Sequence, residues 1–128
     1  MANIYGSLTE ELAAYIQGVT YEDMPENMLQ RAREAVIDGI GVTLSGYSAE
    51  CTTLIRRYID GLGLNGKSTV MGDRHTLPAE YAALANGVGG HALDFDDTQI
   101  SSVPDRVYGL LTHPTVPVLS AALAQAEE

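Results

Sequence analysis

Two stretches of this sequence, residues 29–43 and residues 78–93, combine helical periodicity with glycines inside the predicted helix. In the first stretch, Gly39 and Gly41 lie within a helical repeat of apolar or small residues. This repeat consists of Leu29, Ala32, Val36, Ile40 and Thr43. An interior glycine costs a helix about 1 kcal/mol relative to alanine, so we expect these glycines to allow close approach of another helix. The sequence therefore predicts a mostly α-helical fold with closely packed helices.

Four further helices and one short β segment are predicted along the chain. The helices cover residues 8–17, residues 50–59, residues 78–93 and the residues from Pro114 or Pro117 onward. Gly61 and Gly63 are placed to end the third helix, and the glycines at 87, 89 and 90 indicate tight packing or an irregular last turn in the fourth. Residues 99–112 are predicted as a long loop. The β-prone residues bounded by glycines predict a short strand or hairpin near residues 68–72.

The composition is that of an acidic globular chain of one domain. With 128 residues and 45% hydrophobic residues, the chain is long enough for one buried core and too apolar for a disordered polymer. Seventeen acidic and seven basic residues give a net charge of −10, which argues against a nucleic-acid partner because phosphate contacts need clustered Lys and Arg. The single cysteine, Cys51, forms no internal disulfide, and the first residues lack the apolar run of a signal peptide. We therefore expect a cytoplasmic protein that binds neither nucleic acid nor a membrane.

The glycines that follow the third predicted helix also match two short nucleotide-binding patterns. Gly61, Gly63 and Gly66 fit the dinucleotide pattern, and the extension to Lys67 and Ser68 fits the phosphate-loop pattern. Both motifs need a strand before the glycines and a helix after them, because the N-terminus of that helix holds the phosphate. Here a predicted helix precedes the glycines and a β-prone segment follows. We therefore interpret the segment as a turn from helix to strand and expect no nucleotide cofactor.

The residues best suited to catalysis or ligand binding lie at the end of the fourth predicted helix. His91, Asp94 and Asp97 are three residues apart, so they would lie on adjoining parts of one face if the helix continued. With Asp96 included, three carboxylates fall within four residues at a helix C-terminus, where mutual repulsion and the helix dipole are both unfavourable. A cation, an arginine or a substrate hydroxyl is expected to compensate this charge.

His113 follows on the far side of the predicted loop, next to Pro114. Proline suits the first position of a helix, which places His113 at or beside the N-cap of the final helix. Free backbone N–H groups at such a helix end bind anions, and an imidazole there is well placed to move a proton next to a bound carboxylate. The histidine and the acidic segment together suggest an active site for an organic anion.

Each of these features also has a purely structural interpretation, and the spacing leaves both open. A His-Pro pair at a helix start is often an ordinary cap, an acidic cluster is often a solvated loop, and His91 alone is more often a hydrogen-bonded core histidine. A divalent ion such as Mg²⁺ or Mn²⁺ is a further alternative, since His91 with Asp94, Asp96 and Asp97 offers nitrogen and oxygen ligands. The sequence has no HExxH motif and no second histidine four residues from His91, so zinc is poorly supported. The site that we predict contains no metal.

Two motifs in this region resemble the MmgE/PrpD family. One is GHALDFDDT at residues 90–98, and the other is THPT at residues 112–115, ahead of an alanine-rich helix. The resemblance extends through residues 31–38 and 78–87 and covers nearly the whole chain. It implies that residues 1–128 are the N-terminal portion of an all-helical domain, with a separate α+β domain encoded downstream. It also implies a homodimer.

The same resemblance implies an activity and assigns roles to individual residues. The expected chemistry is that of a lyase or isomerase acting on small polycarboxylates by dehydration, decarboxylation or epimerisation, without an iron–sulfur cluster or other cofactor. Asp94 and His113 match active-site positions, so His113 is predicted as the general acid or base and Asp94 as the residue that orients it or binds a substrate hydroxyl. Asp97 and His91 lie in the same block and are predicted to bind substrate. Arg106, on the predicted loop, is the candidate partner for a substrate carboxylate.

Members of the family carry further catalytic lysines and a tyrosine downstream of the region that this chain resembles. We therefore expect these 128 residues to be inactive alone, because the site would be only half built. The competing hypothesis is a helical module without enzymatic activity, which associates with a partner through apolar surface.

Overall fold

The computed structural model describes residues 4–99 and 112–128, which form five α-helices and one small antiparallel hairpin. The helices are α1 (Ile4–Gly18), α2 (Glu26–Ser45), α3 (Glu50–Asp60), α4 (Ala79–His91) and α5 (Thr115–Ala126). The hairpin pairs β1 (Ser68–Thr69) with β2 (Thr76–Leu77), and short 3₁₀ turns at Tyr21–Asp23 and Gly46–Ser48 flank α2. The prediction of a mostly α fold with a short β element is confirmed. In this part of the chain no helix combines the length and the apolar character of a membrane span.

The chain divides into two compact units, Met1–Arg33 and Glu34–Glu128. Every buried hydrophobic residue that the structure describes belongs to the second unit. The main core cluster comprises Ile59, Val70, Leu77, Ala82, Ala85 and Ala124. The candidate site lies in the same unit as this core cluster.

The first unit contains α1 and the start of α2. Four apolar side chains of α1 form the predicted face, and each is more than half exposed, namely Leu8, Leu12, Tyr15 and Ile16. Asp23 orders the link to α2, because its carboxylate accepts hydrogen bonds from the backbone N–H (3.0 Å) and the hydroxyl (2.8 Å) of Thr20. Arg33 donates to the Glu26 carboxylate (3.1 Å) and to the Tyr21 hydroxyl (3.0 Å). Local hydrogen bonds therefore hold this unit, and an apolar stripe remains on its surface.

Glycines let α2 and α4 approach α5 closely in the second unit. A Cβ atom at Gly90 of α4 would collide with Val116 of α5, and one at Gly39 of α2 would collide with Leu119 of α5. The predicted close approach of helices is therefore confirmed for Gly39. At Gly41, no atom of the described residues lies within 4 Å of the corresponding position, so within this part of the chain that prediction is wrong.

Two buried polar side chains join the hairpin to α4 and α5. Asn86 of α4 accepts a hydrogen bond from the backbone N–H of Met71 (2.8 Å) and donates one to the carbonyl of Thr69 (2.9 Å). Ser68 donates its hydroxyl proton to the carbonyl of Ala124 in α5 (2.7 Å). Because both side chains are buried and hydrogen-bonded to backbone, they hold β1 against the two helices that carry the candidate site.

Residues 61–68 form the turn from α3 to β1. Gly61 caps the C-terminus of α3, and Gly63 adopts the left-handed backbone conformation (φ 66°) that favours glycine. A helix precedes these glycines and a strand follows them, as the sequence predicts. The segment therefore lacks the strand-then-helix order that a phosphate-binding loop requires.

Candidate active site

The backbone reverses direction directly after α4. The helix ends at His91 with Ala92 as its C-cap, and the N–H of Asp94 donates to the carbonyl of His91 (3.1 Å). Asp94 has a φ of 56°, and no other non-glycine residue of the described chain has a positive φ. Aspartate tolerates this left-handed conformation better than most residues. The helix therefore does not continue, so the shared helical face predicted for His91, Asp94 and Asp97 does not form.

This reversal places Asp96 between two histidines. The side chain of Asp96 is 1% exposed, and its Oδ1 lies 3.0 Å from Nδ1 of His91. Its Oδ2 lies 3.2 Å from Nδ1 of His113. Oδ2 also lies 3.3 Å from Nδ1 of His91, so His91 contacts both carboxylate oxygens and His113 contacts Oδ2. A buried carboxylate needs such partners to offset its lost hydration.

His113 lies beside the N-terminus of α5, as the sequence predicts. The helix begins at Thr115 with Pro114 as its N-cap, so His113 is the residue before the cap. The Nε2 atom of His113 lies 3.9 Å from Oδ1 of Asp94, whose side chain is 78% exposed. The ring of His113 also meets the ring of His91 edge-on, with the centroids 4.5 Å apart. His113 therefore has a buried carboxylate at one edge and an exposed carboxylate at the other.

Asp97 is directed to the start of α5. Its carboxylate accepts hydrogen bonds from the backbone N–H (3.1 Å) and the hydroxyl (2.8 Å) of Thr115. A carboxylate at this position satisfies a free N–H group and complements the helix dipole. At Thr115, the anion site predicted for this helix end is therefore filled by a carboxylate of the chain itself. Asp97 thereby ties the start of α5 to the acidic segment after α4.

The electrostatics of the cluster favour a charged His91. The hydrogen bond between its ring and the Asp96 carboxylate raises the pKa of His91 above its ordinary value. Burial opposes this rise, and the negative charges of Asp96 and Asp94 add to it. Since the His91 side chain is 56% exposed, this imidazole is accessible to a molecule in solution.

Four residues of the cluster have possible metal-ligand atoms close to one another. One donor atom from each of His91, Asp94, Asp96 and His113 lies within 4.8 Å of the other three. Imidazole nitrogens mixed with carboxylate oxygens suit a divalent transition metal better than Mg²⁺, which prefers oxygen ligands. Hydrogen bonds and ion pairs between the rings and the carboxylates account for the same short distances. The metal-free site therefore stays a prediction.

An apolar groove of about 650 Å³ opens beside His91. Its walls come from α3, α4 and α5 and include Cys51, Leu84, Val88 and Pro117. His91 lines this groove and also belongs to the polar cluster. A small molecule in the groove would therefore contact an imidazole that also contacts Asp96 and the ring of His113.

The structure brings together three of the five predicted site residues. His91, Asp94 and His113 lie in one cluster, and Asp97 lies next to it at the start of α5. Arg106 lies outside the described residues.

Asp96 is the residue that the sequence argument left out of the predicted site. It contacts both histidines and is the most deeply buried carboxylate of the segment. Its burial follows from the reversal at Asp94, which no helical or strand periodicity indicates. The available signal was its position in a dense acidic block, where mutual repulsion favours pairing of a carboxylate with a cation or a hydrogen-bond donor.

Residues 10–128 match the family model for the MmgE/PrpD N-terminal domain. The matched region includes the hairpin and all four residues of the cluster. The chain belongs to the MmgE/PrpD family. The resemblance of residues 90–98 and 112–115 to that family is therefore confirmed.

Three relatives show how much of an MmgE/PrpD protein this chain represents. Cis-aconitate decarboxylase of Mus musculus is 32% identical over 122 residues, which cover 94% of this chain and 23% of the relative. Cis-aconitate decarboxylase of Homo sapiens is 33% identical over 122 residues, which cover 94% of this chain and 24% of the relative. A cis-aconitate decarboxylase-like protein of Aspergillus oryzae is 29% identical over 92 residues, which cover 72% of this chain and 19% of the relative. The chain thus belongs to a lyase-type enzyme family and spans less than a quarter of the length of these relatives.

Proposed function

We propose that this chain supplies part of the active site of a lyase or isomerase acting on small polycarboxylates. The observation that carries the proposal is the approach of His113 to Asp94, with Nε2 and Oδ1 3.9 Å apart on the exposed side of the cluster. By resemblance, these two residues occupy catalytic positions of the MmgE/PrpD family. The mammalian relatives are named for decarboxylation of cis-aconitate, which supports a substrate with several carboxylates.

In the proposed mechanism, His113 moves a proton at a carbon next to a substrate carboxylate. A positioned imidazole acts there as general acid or base and contributes about 10²–10⁴-fold to the rate. The Nε2 edge of His113 meets the exposed Asp94, so the proton enters or leaves on that side. Asp94 orients the ring or accepts a hydrogen bond from a substrate hydroxyl. Loss of CO₂, loss of water and a change of configuration all include such a proton transfer.

The substrate carboxylates need partners that are positive or donate hydrogen bonds. His91 meets this need, because its pKa is raised by the hydrogen bond with Asp96 and more than half of its side chain is exposed. Arg106 is the second proposed partner for a carboxylate. Asp97 contributes to substrate binding through the start of α5, which it holds by two hydrogen bonds to Thr115.

The remainder of the proposed site lies outside these 128 residues. The matched segment makes up 23% of the mouse relative and 24% of the human relative, so most of such a protein has no counterpart here. We assign the further lysines and the tyrosine of the site to a downstream α+β domain. The complete protein is proposed to be a cytoplasmic homodimer that needs no cofactor, and these residues alone are proposed to be inactive.

The test measures turnover by the protein encoded by the full open reading frame that contains these residues. Cis-aconitate and 2-methylcitrate are supplied separately, and the products are identified by mass spectrometry. Where the coding sequence ends at Glu128, the chain is assayed together with the part of the mouse relative that follows the matched segment.

His113→Ala is expected to lower kcat by at least about 10²-fold, because it removes the proton-transfer group. The matched control is His75→Ala, which removes an imidazole that is 85% exposed in the hairpin and should leave kcat unchanged. A loss of less than about tenfold in the His113 variant would contradict the role proposed for this residue.

A helical association module is the second candidate function. The observation that favours it is the exposed apolar face of α1, where Leu8, Leu12, Tyr15 and Ile16 are each more than half exposed. This hypothesis predicts self-association that is lost when Leu12 and Ile16 are both changed to Ser, and no turnover after the downstream part is supplied. Analytical ultracentrifugation of the chain measures the first outcome and the turnover assay measures the second.

A further inference from the structure

The geometry points to Asp96 as the positioning residue of this site, which keeps the ring protons of His91 and His113 on Nδ1. The Nε2 atom of His113 then carries a lone pair on the side that meets Asp94. The catalytic consequence rests on the proposed function, whereas the location of the two ring protons is a property of the chain itself. Asp96 touches no substrate in this arrangement and acts only through the two rings.

The first argument concerns the two oxygens of Asp96. An ionised carboxylate accepts hydrogen bonds and donates none. Nδ1 of His91 lies 3.0 Å from Oδ1 and 3.3 Å from Oδ2, and Nδ1 of His113 lies 3.2 Å from Oδ2. Because the side chain is 1% exposed, water does not compete for these oxygens. Both facing nitrogens must therefore be donors, which defines the Nδ1–H form of each neutral ring.

The second argument concerns the Nδ1 atom of His113. This atom is buried and has no hydrogen-bond partner among the described residues, although Asp96 Oδ2 lies only 3.2 Å away. A buried donor without a partner is costly, so such groups rarely stay unpaired in native proteins. A protonated Nδ1 would have the Asp96 carboxylate as its acceptor, whereas an unprotonated Nδ1 would place a lone pair against carboxylate oxygens. The buried carboxylate therefore favours the Nδ1–H form of His113 as well.

The third argument concerns the opposite edge of His113. Its Nε2 lies 3.9 Å from Asp94 Oδ1, beyond hydrogen-bond distance, and the Asp94 side chain is 78% exposed. With the ring proton on Nδ1, Nε2 is an acceptor on the exposed side of the cluster, as a general base requires. With the proton on Nε2 instead, the N–H would be directed to Asp94 and no lone pair would face a substrate.

A purely structural role for Asp96 makes a different prediction. Changing Asp96 lowers stability under either role, because the residue is buried between two partners. Only the positioning role specifies which nitrogen of each ring carries the proton. The decisive readout is therefore the state of the ring nitrogens rather than stability or activity.

The direct test is ¹⁵N NMR of the chain with labelled histidine, in EDTA and at about pH 9, well above the ordinary imidazole pKa of about 6.5. The chain has three histidines, and the His75→Gln and His91→Gln variants identify their signals. Long-range ¹H–¹⁵N correlations separate the protonated from the unprotonated nitrogen of each ring. We expect Nδ1–H in both His91 and His113. A predominant Nε2–H form in either ring would overturn the proposal.

Asp96→Asn sharpens this test, because an amide offers one acceptor oxygen and one donor nitrogen. The amide cannot accept from both rings, so one of the two is expected to change to the Nε2–H form. The matched control, Asp38→Asn, makes the same chemical change at an exposed aspartate of α2 and should leave both rings in the Nδ1–H form. Unchanged ring protons in a folded Asp96→Asn protein would overturn the proposal. If circular dichroism shows that this variant does not fold, the spectrum of the unaltered chain decides the question.

The catalytic consequence is measured in the complete enzyme. Asp96→Asn is expected to lower kcat by at least about tenfold with a smaller change in KM, because the proton acceptor is lost while substrate contacts remain. If one ring of the Asp96→Asn protein changes to the Nε2–H form while kcat stays unchanged, the positioning role is contradicted. If both rings carry the proton on Nδ1 but the complete protein shows no turnover, the proposed function is contradicted instead. The two failures are therefore distinguishable.

Discussion

At the residue scale, one hydrogen bond determines how His91 responds to pH. Its Nδ1 lies 3.0 Å from Asp96 Oδ1, and this bond raises the pKa of His91 above its ordinary value. The folded protein therefore binds a proton at His91 more tightly than the unfolded chain does. By linkage, this contribution to stability is complete below the unfolded pKa of about 6.5 and is lost as the pH rises through the higher folded pKa.

We predict that His91→Gln destabilises the protein more at pH 6 than at pH 8.5. The reason is that the protonated ring gains more from the buried Asp96 carboxylate than the neutral ring does, and the protonated fraction falls as the pH rises. Urea unfolding at the two pH values measures the free energy of unfolding of both proteins. His75→Gln controls for the loss of an exposed imidazole. A larger destabilisation by His91→Gln at pH 8.5 would show that the sign is wrong.

At the element scale, the crossing of α4 and α5 brings the two histidines together. Gly90 precedes His91 at the end of α4, and a Cβ there would collide with Val116, which follows His113 in the first turn of α5. The same position also lies 3.0 Å from the Thr43 hydroxyl of α2. Close contact at Gly90 therefore sets the separation of the two helix ends that carry the imidazoles.

We predict that Gly90→Ala lowers the free energy of unfolding by about 1–3 kcal/mol, since the added methyl group overpacks the contact with Val116. Gly87→Ala is the matched control on the same helix, because its nearest neighbour is the Ser120 hydroxyl at 4.0 Å. There the better helix propensity of alanine should raise stability by up to about 1 kcal/mol. Denaturant unfolding of the two variants measures both changes. Equal effects at the two positions would contradict the packing argument.

At the scale of the whole molecule, the net charge of −10 opposes folding through self-repulsion. Seventeen acidic side chains stand against seven basic ones, so long-range repulsion exceeds attraction. Salt screens these interactions, and the screening length falls from about 30 Å at 0.01 M to about 10 Å at 0.1 M ionic strength. Short-range hydrogen bonds such as those of Asn86 are affected much less.

We predict that raising NaCl from about 0.01 M to about 0.2 M increases the Tm of the chain, because repulsion among its acidic groups is screened. Differential scanning calorimetry at constant pH measures the change. The same increase in NaCl near the sequence pI of about 4.5, where the net charge is close to zero, is the control for effects that do not depend on net charge. A Tm that falls with NaCl would mean that the ion pairs, such as Arg56 with Asp73, contribute more than the net repulsion.

Local sequence patterns determined the helices of this protein. The repeat in α2, the glycines after α3 and the proline before α5 each act over one or two turns, so periodicity and chain-breaking residues are sufficient to locate these elements. The family motifs, which are also local, pointed to His91, Asp94 and His113 as residues of one site. The turn from α3 to β1 was predictable for the same reason.

Only the tertiary structure decided how those side chains meet. The left-handed backbone at Asp94 turns the chain back, buries Asp96 and places it between His91, which ends α4, and His113, which precedes the N-cap of α5. That arrangement depends on the close contact of Gly90 with Val116, two residues far apart in the sequence. Contacts of this kind are selected by packing and by the cost of burying a carboxylate without partners, and neither leaves a periodic pattern along the chain.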